Sequence, residues 1–139
     1  MENGTQLLSK DAILAADDIL TETVYVPEWK GSVIVCGLTG AAKDAYDKSI
    51  VEVKGNKRTV NLDHVRAKLL VRTLVNEQRQ PLFLESDIIR LGTKSAAVLD
   101  RLCAIAQRLS GMRAEDAEEL KKTSETTQNA DSDSALPSA

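Results

Sequence analysis

VPEWKGSVIVCGL, Val26 to Leu38, is the stretch whose reading decides the fold. With the ILTETVY that precedes it, this stretch holds two short alternations of branched residues. Val24 and Val26 share one strand face, Val33 and Val35 share another, and Tyr25 and Ile34 point the opposite way. Between the alternations lies PEWKG. Pro27 cannot donate to a β-ladder, and Gly31 is free to take a positive φ. Residues 20–37 therefore read as a β-hairpin with a five-residue loop. Trp29, the only tryptophan, sits in that loop. Its expected place is a lid over the hairpin and its neighbouring helix, with the indole N–H meeting a backbone carbonyl. Pro27, Trp29 and Gly31 thus form a structural set.

Beyond the hairpin the chain switches to helical spacing. Thr39 opens a helix over about 40–53, with Ala42, Ala45, Tyr46, Ser49, Ile50 and Val53 near one stripe. Gly55 suits its C-terminus. A second helix covers about 62–76, where Leu62, Val65, Leu69, Leu70 and Leu74 recur at three- and four-residue spacing. NEQRQP is a turn, and PLFL returns to the core through Leu82 and Phe83. Ser86 can cap a one-turn helix closed by Gly92, and Thr93 can cap the longest helix, 94–109. Its stripe is Val98, Leu102, Ile105 and Leu109, joined by Leu99, Cys103 and Ala106. Gly111 breaks it, and a polar helix follows at 113–122.

Upstream of the hairpin, residues 1–8 read as a flexible lead-in, and Ser9 as the cap of a short helix at 10–17. Downstream, 125–139 is polar, small and acidic, the composition of a disordered tail. The expected architecture is α+β and mainly helical: an N-terminal hairpin packed on a small helical bundle, forming a single domain over 9–124.

Composition narrows the function. The 139 residues are 42% hydrophobic but only 3% aromatic, so aliphatic side chains must fill the core. Net charge is -3, and all of the excess lies in Glu125, Asp131 and Asp133 of the tail. A neutral body argues against nucleic-acid binding that rests on broad electrostatics. No apolar run approaches the roughly 18 residues of a membrane helix, and the N-terminus lacks the pattern of a signal peptide. The expected location is the cytoplasm in which the chain is made.

The residues of catalysis are sparse. His64 is the single histidine, and Cys36 and Cys103 stand 67 positions apart, outside any CxxC pair. That set cannot supply four nitrogen or sulfur ligands for zinc, and both thiols read as buried and reduced. The acid clusters Asp17–Asp18 and Glu115–Asp116 with Glu118–Glu119 read as solvated faces. The glycines at 31, 37 and 40 form no phosphate-binding motif. The expectation is a protein with no catalytic residues, no metal and no cofactor. One alternative is a DNA-binding regulator, since residues 86–109 have the outline of a helix-turn-helix. Its first turns offer Lys94, Ser95 and Asp100, however, a poor set for reading bases. What remains is interaction. The candidate partner-binding residues are Arg101 and Arg108, seven apart on one helix side, with Leu109, Met112 and Leu120. Each has a plain alternative, closing the core for the apolar three and simple solvation for the arginines.

Over residues 7–124 the chain resembles the tail assembly chaperones of long-tailed bacteriophages. LLSKDAILAADD resembles the short opening helix of that family. TETVYVPEWKGSVIVCGLTGAAKDAYDKSIV resembles its most recognisable segment, two strands joined by V-P-E-W-G-G-type residues and followed by a helix. The block from LLVRTLVNEQRQPLFL to LSGM resembles its helix, turn, P-L-F and leucine-ended short helix, and EDAEELKKTSETTQ its end. Two departures stand out: Thr123 and Ser124 after Lys122, and NEQRQ where members often carry aspartate and glycine. The resemblance implies a non-catalytic protein of the host cytoplasm, absent from the finished virion. Its implied partner is the tape measure protein, kept soluble while tail tube subunits assemble around it. The tail tube protein is implied as a second partner through a frameshifted longer form, and self-association into a homo-oligomer as a third property.

Overall fold

The computed structural model of the chain describes residues 6–112. The expected helix at 113–122, with Leu120, and the tail at 125–139 lie outside the described residues, as does most of the lead-in.

The expected α+β fold is present. Helix α1 spans Lys10–Ala15, and Ser9 caps it by accepting from the Ala12 amide at 3.1 Å. Strands β1 (Thr21–Val26) and β2 (Gly31–Cys36) pair antiparallel, with Val24 opposite Val33 and Val26 opposite Gly31. The loop between them is a 3-10 turn, Pro27–Trp29, followed by Lys30. It is one residue shorter than the sequence suggests, because Gly31 is already in the strand. Lys30, not Gly31, takes the left-handed conformation, at φ 57°. The valine faces are as expected: Val26 and Val35 are fully buried, Val24 and Val33 pack on the core, and Tyr25 is exposed.

Helix α2 (Gly40–Ile50) is capped by Thr39, whose hydroxyl accepts from the Ala42 amide at 3.0 Å. It ends three residues before the expected 53. Val51–Lys54 (β3) and Lys57–Val60 (β4) instead form a second hairpin around Gly55–Asn56. Two valines within VEVK favour extended backbone, and Gly55 supplies the positive φ of 63° that a tight two-residue turn requires. Gly55 thus turns a hairpin and does not end a helix.

Helix α3 is Val65–Thr73, shorter than the expected 62–76 at both ends. His64 precedes it in the left-handed region, and Leu62 is exposed. At the other end Leu74–Val75 forms β5, which pairs antiparallel with β2 through Ile34–Val75 and Val35–Leu74. The main sheet therefore has the order β1-β2-β5. The NEQRQ turn is built on Asn76, whose side-chain oxygen accepts from the amides of Gln78 and Gln80 at 2.8 and 2.9 Å. Such a side-chain-to-backbone turn serves in place of the aspartate-glycine pair.

Two caps differ from expectation. Helix α4 (Ile88–Leu91) follows a 3-10 turn at Glu85–Asp87, where Asp87, and not Ser86, accepts from the Leu84 amide at 2.9 Å. Helix α5 runs Ala96–Leu109 with Ser95 as its cap, while the Thr93 hydroxyl donates to the Arg90 carbonyl at 2.6 Å. Ser86 lies inside the 3-10 turn that precedes α4, so its hydroxyl is not at the helix's cap position.

The core lies where α5 packs on α3 and β2. Leu69, Leu70, Leu74, Leu102, Val98, Val26 and Val35 are its fully buried members. Each such aliphatic side chain contributes about 1.5–3 kcal/mol on burial, so the shortage of aromatics is no obstacle. The only buried polar residue among those described, Thr73, is satisfied by donating to the Leu69 carbonyl at 3.0 Å.

Candidate functional site

Helix α5 runs back along the first hairpin, and its charged side chains fix that direction. Arg101 makes a two-pronged contact with Glu28 in the hairpin loop, at 2.7 and 3.2 Å. Two turns later Arg108 meets Glu22 near the open end of the hairpin, at 2.7 Å. The Arg101 guanidinium, donating to the carboxylate, holds Glu28 below its ordinary pKa of 4.5. Both arginines face the chain's own hairpin.

At the end of α5 the join is close. A Cβ on Gly37 would stand 2.5 Å from the Leu109 carbonyl oxygen, nearer than a Cβ comes to such an atom. The Leu38 amide donates to Ser110 Oγ at 2.8 Å across the same seam. Leu109 and Met112 are half-buried and pack against the core here. Of the five candidate partner residues, four are brought to one face of α5 and its C-terminus, and all four touch the chain itself. Leu120 lies outside the described residues.

The other end of the hairpin is open. Trp29 is half-buried against the core, and it also forms one wall of a groove of about 680 Å³. Leu82, Phe83 and Leu91 form the rest of its apolar lining, and Asp87, Arg90, Thr93 and Lys94 its rim. Leu82 was expected in the core but is 51% exposed. Its amide donates to the Leu74 carbonyl at 3.0 Å, which fixes the backbone and turns the side chain outward. Leu84 and Ile89 are exposed close by in sequence. Sequence reasoning missed this groove because three separate segments build it. The one available signal was P-L-F-L, four residues of which three are large and apolar, in a span too short to be a buried helix.

The remaining chemistry is quiet. His64 is exposed ahead of α3, and no group of acids, cysteines and histidine that could hold a metal occurs among the described residues. Cys36 and Cys103 are buried and free, and burial pushes the Cys103 thiol up to about 12, far from a reactive thiolate. Tyr46 is likewise pushed up to about 12 by burial. The helix-turn-helix outline does exist as α4 and α5. Val98, Leu99, Leu102, Cys103 and Ala106 of the second helix are buried, however, and its arginines are paired with the hairpin. No helix among the described residues is long and apolar enough to cross a membrane.

Comparison with known proteins agrees with this geometry. A family model described as phage tail assembly chaperone matches residues 9–123. The solved structure of the bacteriophage HK97 tail assembly chaperone is similar in fold, with a TM-score of 0.50 and 23% identity. The match covers 66% of this chain and 85% of that one. No curated protein matches the chain.

Proposed function

From the premise that the chain belongs to the phage tail assembly chaperone family, we propose that it binds the tape measure protein and keeps it soluble while tail tube subunits assemble around it. The observation that carries this reading is the apolar groove beside Trp29, lined by Leu82, Phe83 and Leu91, with Leu82 largely exposed in it. A contiguous apolar surface on a small protein is an interaction site, and a groove of this kind accepts the apolar stripe of an amphipathic helix. A long helix-rich protein offers such stripes until its own partners cover them.

The groove is a better docking surface than the end of α5. Burying Arg101 or Arg108 against a partner would first break ion pairs within the chain, and Leu109 and Met112 already pack against the core. The reading is non-catalytic. It is supported by the family and by the burial of both thiols, which holds the Cys103 thiol up at about 12. Contact with the tail tube protein and self-association complete the reading, and both are of the kind that a family of assembly proteins implies. Action in the host cytoplasm goes with it.

The test is co-expression of the chain with a helix-rich tape measure fragment that is insoluble alone. Wild type brings the fragment into the soluble fraction and co-purifies with it, and Leu82→Glu does neither. A fragment that stays insoluble with wild type sinks the proposal. A fragment rescued equally by Leu82→Glu moves the docking surface away from the groove.

A further inference from the structure

The β3–β4 hairpin carries positive charge that no described residue answers. Residues 53–58 are all exposed, and they include Lys54, Lys57 and Arg58. Lys54 stands directly opposite Lys57 in the strand register, and Val53 opposite Arg58. Like charges placed face to face weaken a strand pair, so the tip keeps its two lysines at a cost in stability. The only acid of the two strands, Glu52, lies toward their base and accepts from the Asn61 side chain at 2.6 Å. Elsewhere guanidinium groups are paired: Arg66, Arg72, Arg79, Arg90, Arg101 and Arg108 each meet a carboxylate. Arg58 meets none among the described residues. Lysines on a ribbon also hinder edge-to-edge pairing, but that role does not account for Val53. Its side chain is 64% exposed on the face it shares with Arg58, where an apolar residue favours contact.

We propose that this hairpin docks an extended acidic segment of a partner protein, which adds as a strand along β3. Lys54 and Lys57 lie on one face of the ribbon, and Val53 and Arg58 on the other. A segment reaches both faces by lying along an edge. Strands β3 and β4 pair with each other alone among the described residues, so their outer edges are open. A strand added beside β3 turns successive side chains to opposite faces. It can set a carboxylate against the lysine pair, relieving their repulsion, and an apolar residue against Val53. Arg58 then takes a further carboxylate, as Arg101 takes Glu28 within the chain. Val53 also favours protein over nucleic acid. A phosphate backbone would use the cations but not the valine, and the neutral body offers it no longer run of charge. This surface stands apart from the Trp29 groove, none of whose lining comes from β3 or β4, and it does not depend on tape measure binding.

The test follows a fluorescein-labelled peptide of alternating glutamate and valine by fluorescence anisotropy as the full chain is added. Wild type should bind it, with an affinity that falls as salt rises. Lys54→Glu, Lys57→Glu and Arg58→Glu together should weaken binding by about tenfold or more. The same triple variant should take up a peptide of alternating lysine and valine, which a misfolded chain would not do. Val53→Ser should weaken binding several-fold. Leu82→Glu, in the groove, should leave the affinity unchanged, so failure here is distinct from failure of the chaperone reading. Wild type that ignores the peptide, a triple variant that still binds it, or Val53→Ser that binds like wild type would each overturn the proposal. So would a DNA duplex bound more tightly than the peptide. A peptide bound only after Glu125, Asp131 and Asp133 are neutralised would overturn it too, by assigning the hairpin to the chain's own acidic segment.

Discussion

The chain contains two β-hairpins, and they are held in different ways. The first, β1–β2, has six-residue strands, a third strand beside it in β5, and α5 fastened along it. Val26 and Val35 are sealed beneath that helix. The second, β3–β4, has four-residue strands, and residues 53–58 are exposed throughout. It is joined to the body at its base, where the Asn61 amide donates to the Ile50 carbonyl at 2.6 Å and the Asn61 side chain donates to Glu52 at 2.6 Å. The same local grammar, alternating branched residues around a glycine, thus gives a structural wall in one place and a projection in the other. What differs is whether a helix lies over the strands. An isolated two-stranded ribbon is marginal in water, while three strands under a helix are not.

Mutations in each hairpin test this contrast. The largest effect is expected at Leu102, fully buried where α5 meets the first hairpin and α3. Leu102→Ala should cost about 2–5 kcal/mol of unfolding free energy, measured by urea denaturation. Val53→Ala in the second hairpin should stay within about 0.5 kcal/mol. Equal costs would end the distinction. Next comes Gly37→Ala. Its Cβ would meet a backbone carbonyl, which cannot swing aside, so the seam must open at a cost of about 1–3 kcal/mol. Gly55→Ala places a side chain at φ 63° with open space around it, so only backbone strain of about 1–2 kcal/mol applies. A Gly55→Ala penalty above that of Gly37→Ala would show the second hairpin to be the better held of the two.

The smallest effects belong to the ion pairs. Arg108→Ala should cost about 0.2–1 kcal/mol and less in high salt, because both partners are largely exposed. The Arg101–Glu28 pair adds a pH signature. Glu28 has a lowered pKa in the folded chain, so its contribution is present above its ordinary 4.5 and is lost as pH falls through the lowered value. Acid titration of wild type against Glu28→Gln should show the two stability curves converging below that window. Parallel curves would mean that the pair does not fasten α5 to the hairpin.

How far the fold was legible follows from the same contrast. The first hairpin was readable because Val24, Val26, Val33 and Val35 had to face one core. The second was not, because Ile50 and Val53 also fit a helical stripe, and nothing local distinguishes a stripe that continues from a strand that begins. Leu74 and Val75 posed the same ambiguity, resolved only by the free edge of β2. Arg101 and Arg108 were seen to share a side, but their glutamates lie 73 and 86 residues away. The groove was the least legible feature, since Trp29, Leu82 and Leu91 meet only after folding. Even so, Trp29, from the VPEWKG that made the chain recognisable, forms one wall of it.

The backbone leaves the seam at Gly37 at Met112, at the far end of α5 from Trp29. A fluorophore or fusion partner attached beyond that point starts out at the pole opposite the groove. Labels for testing whether a partner enters the groove belong there.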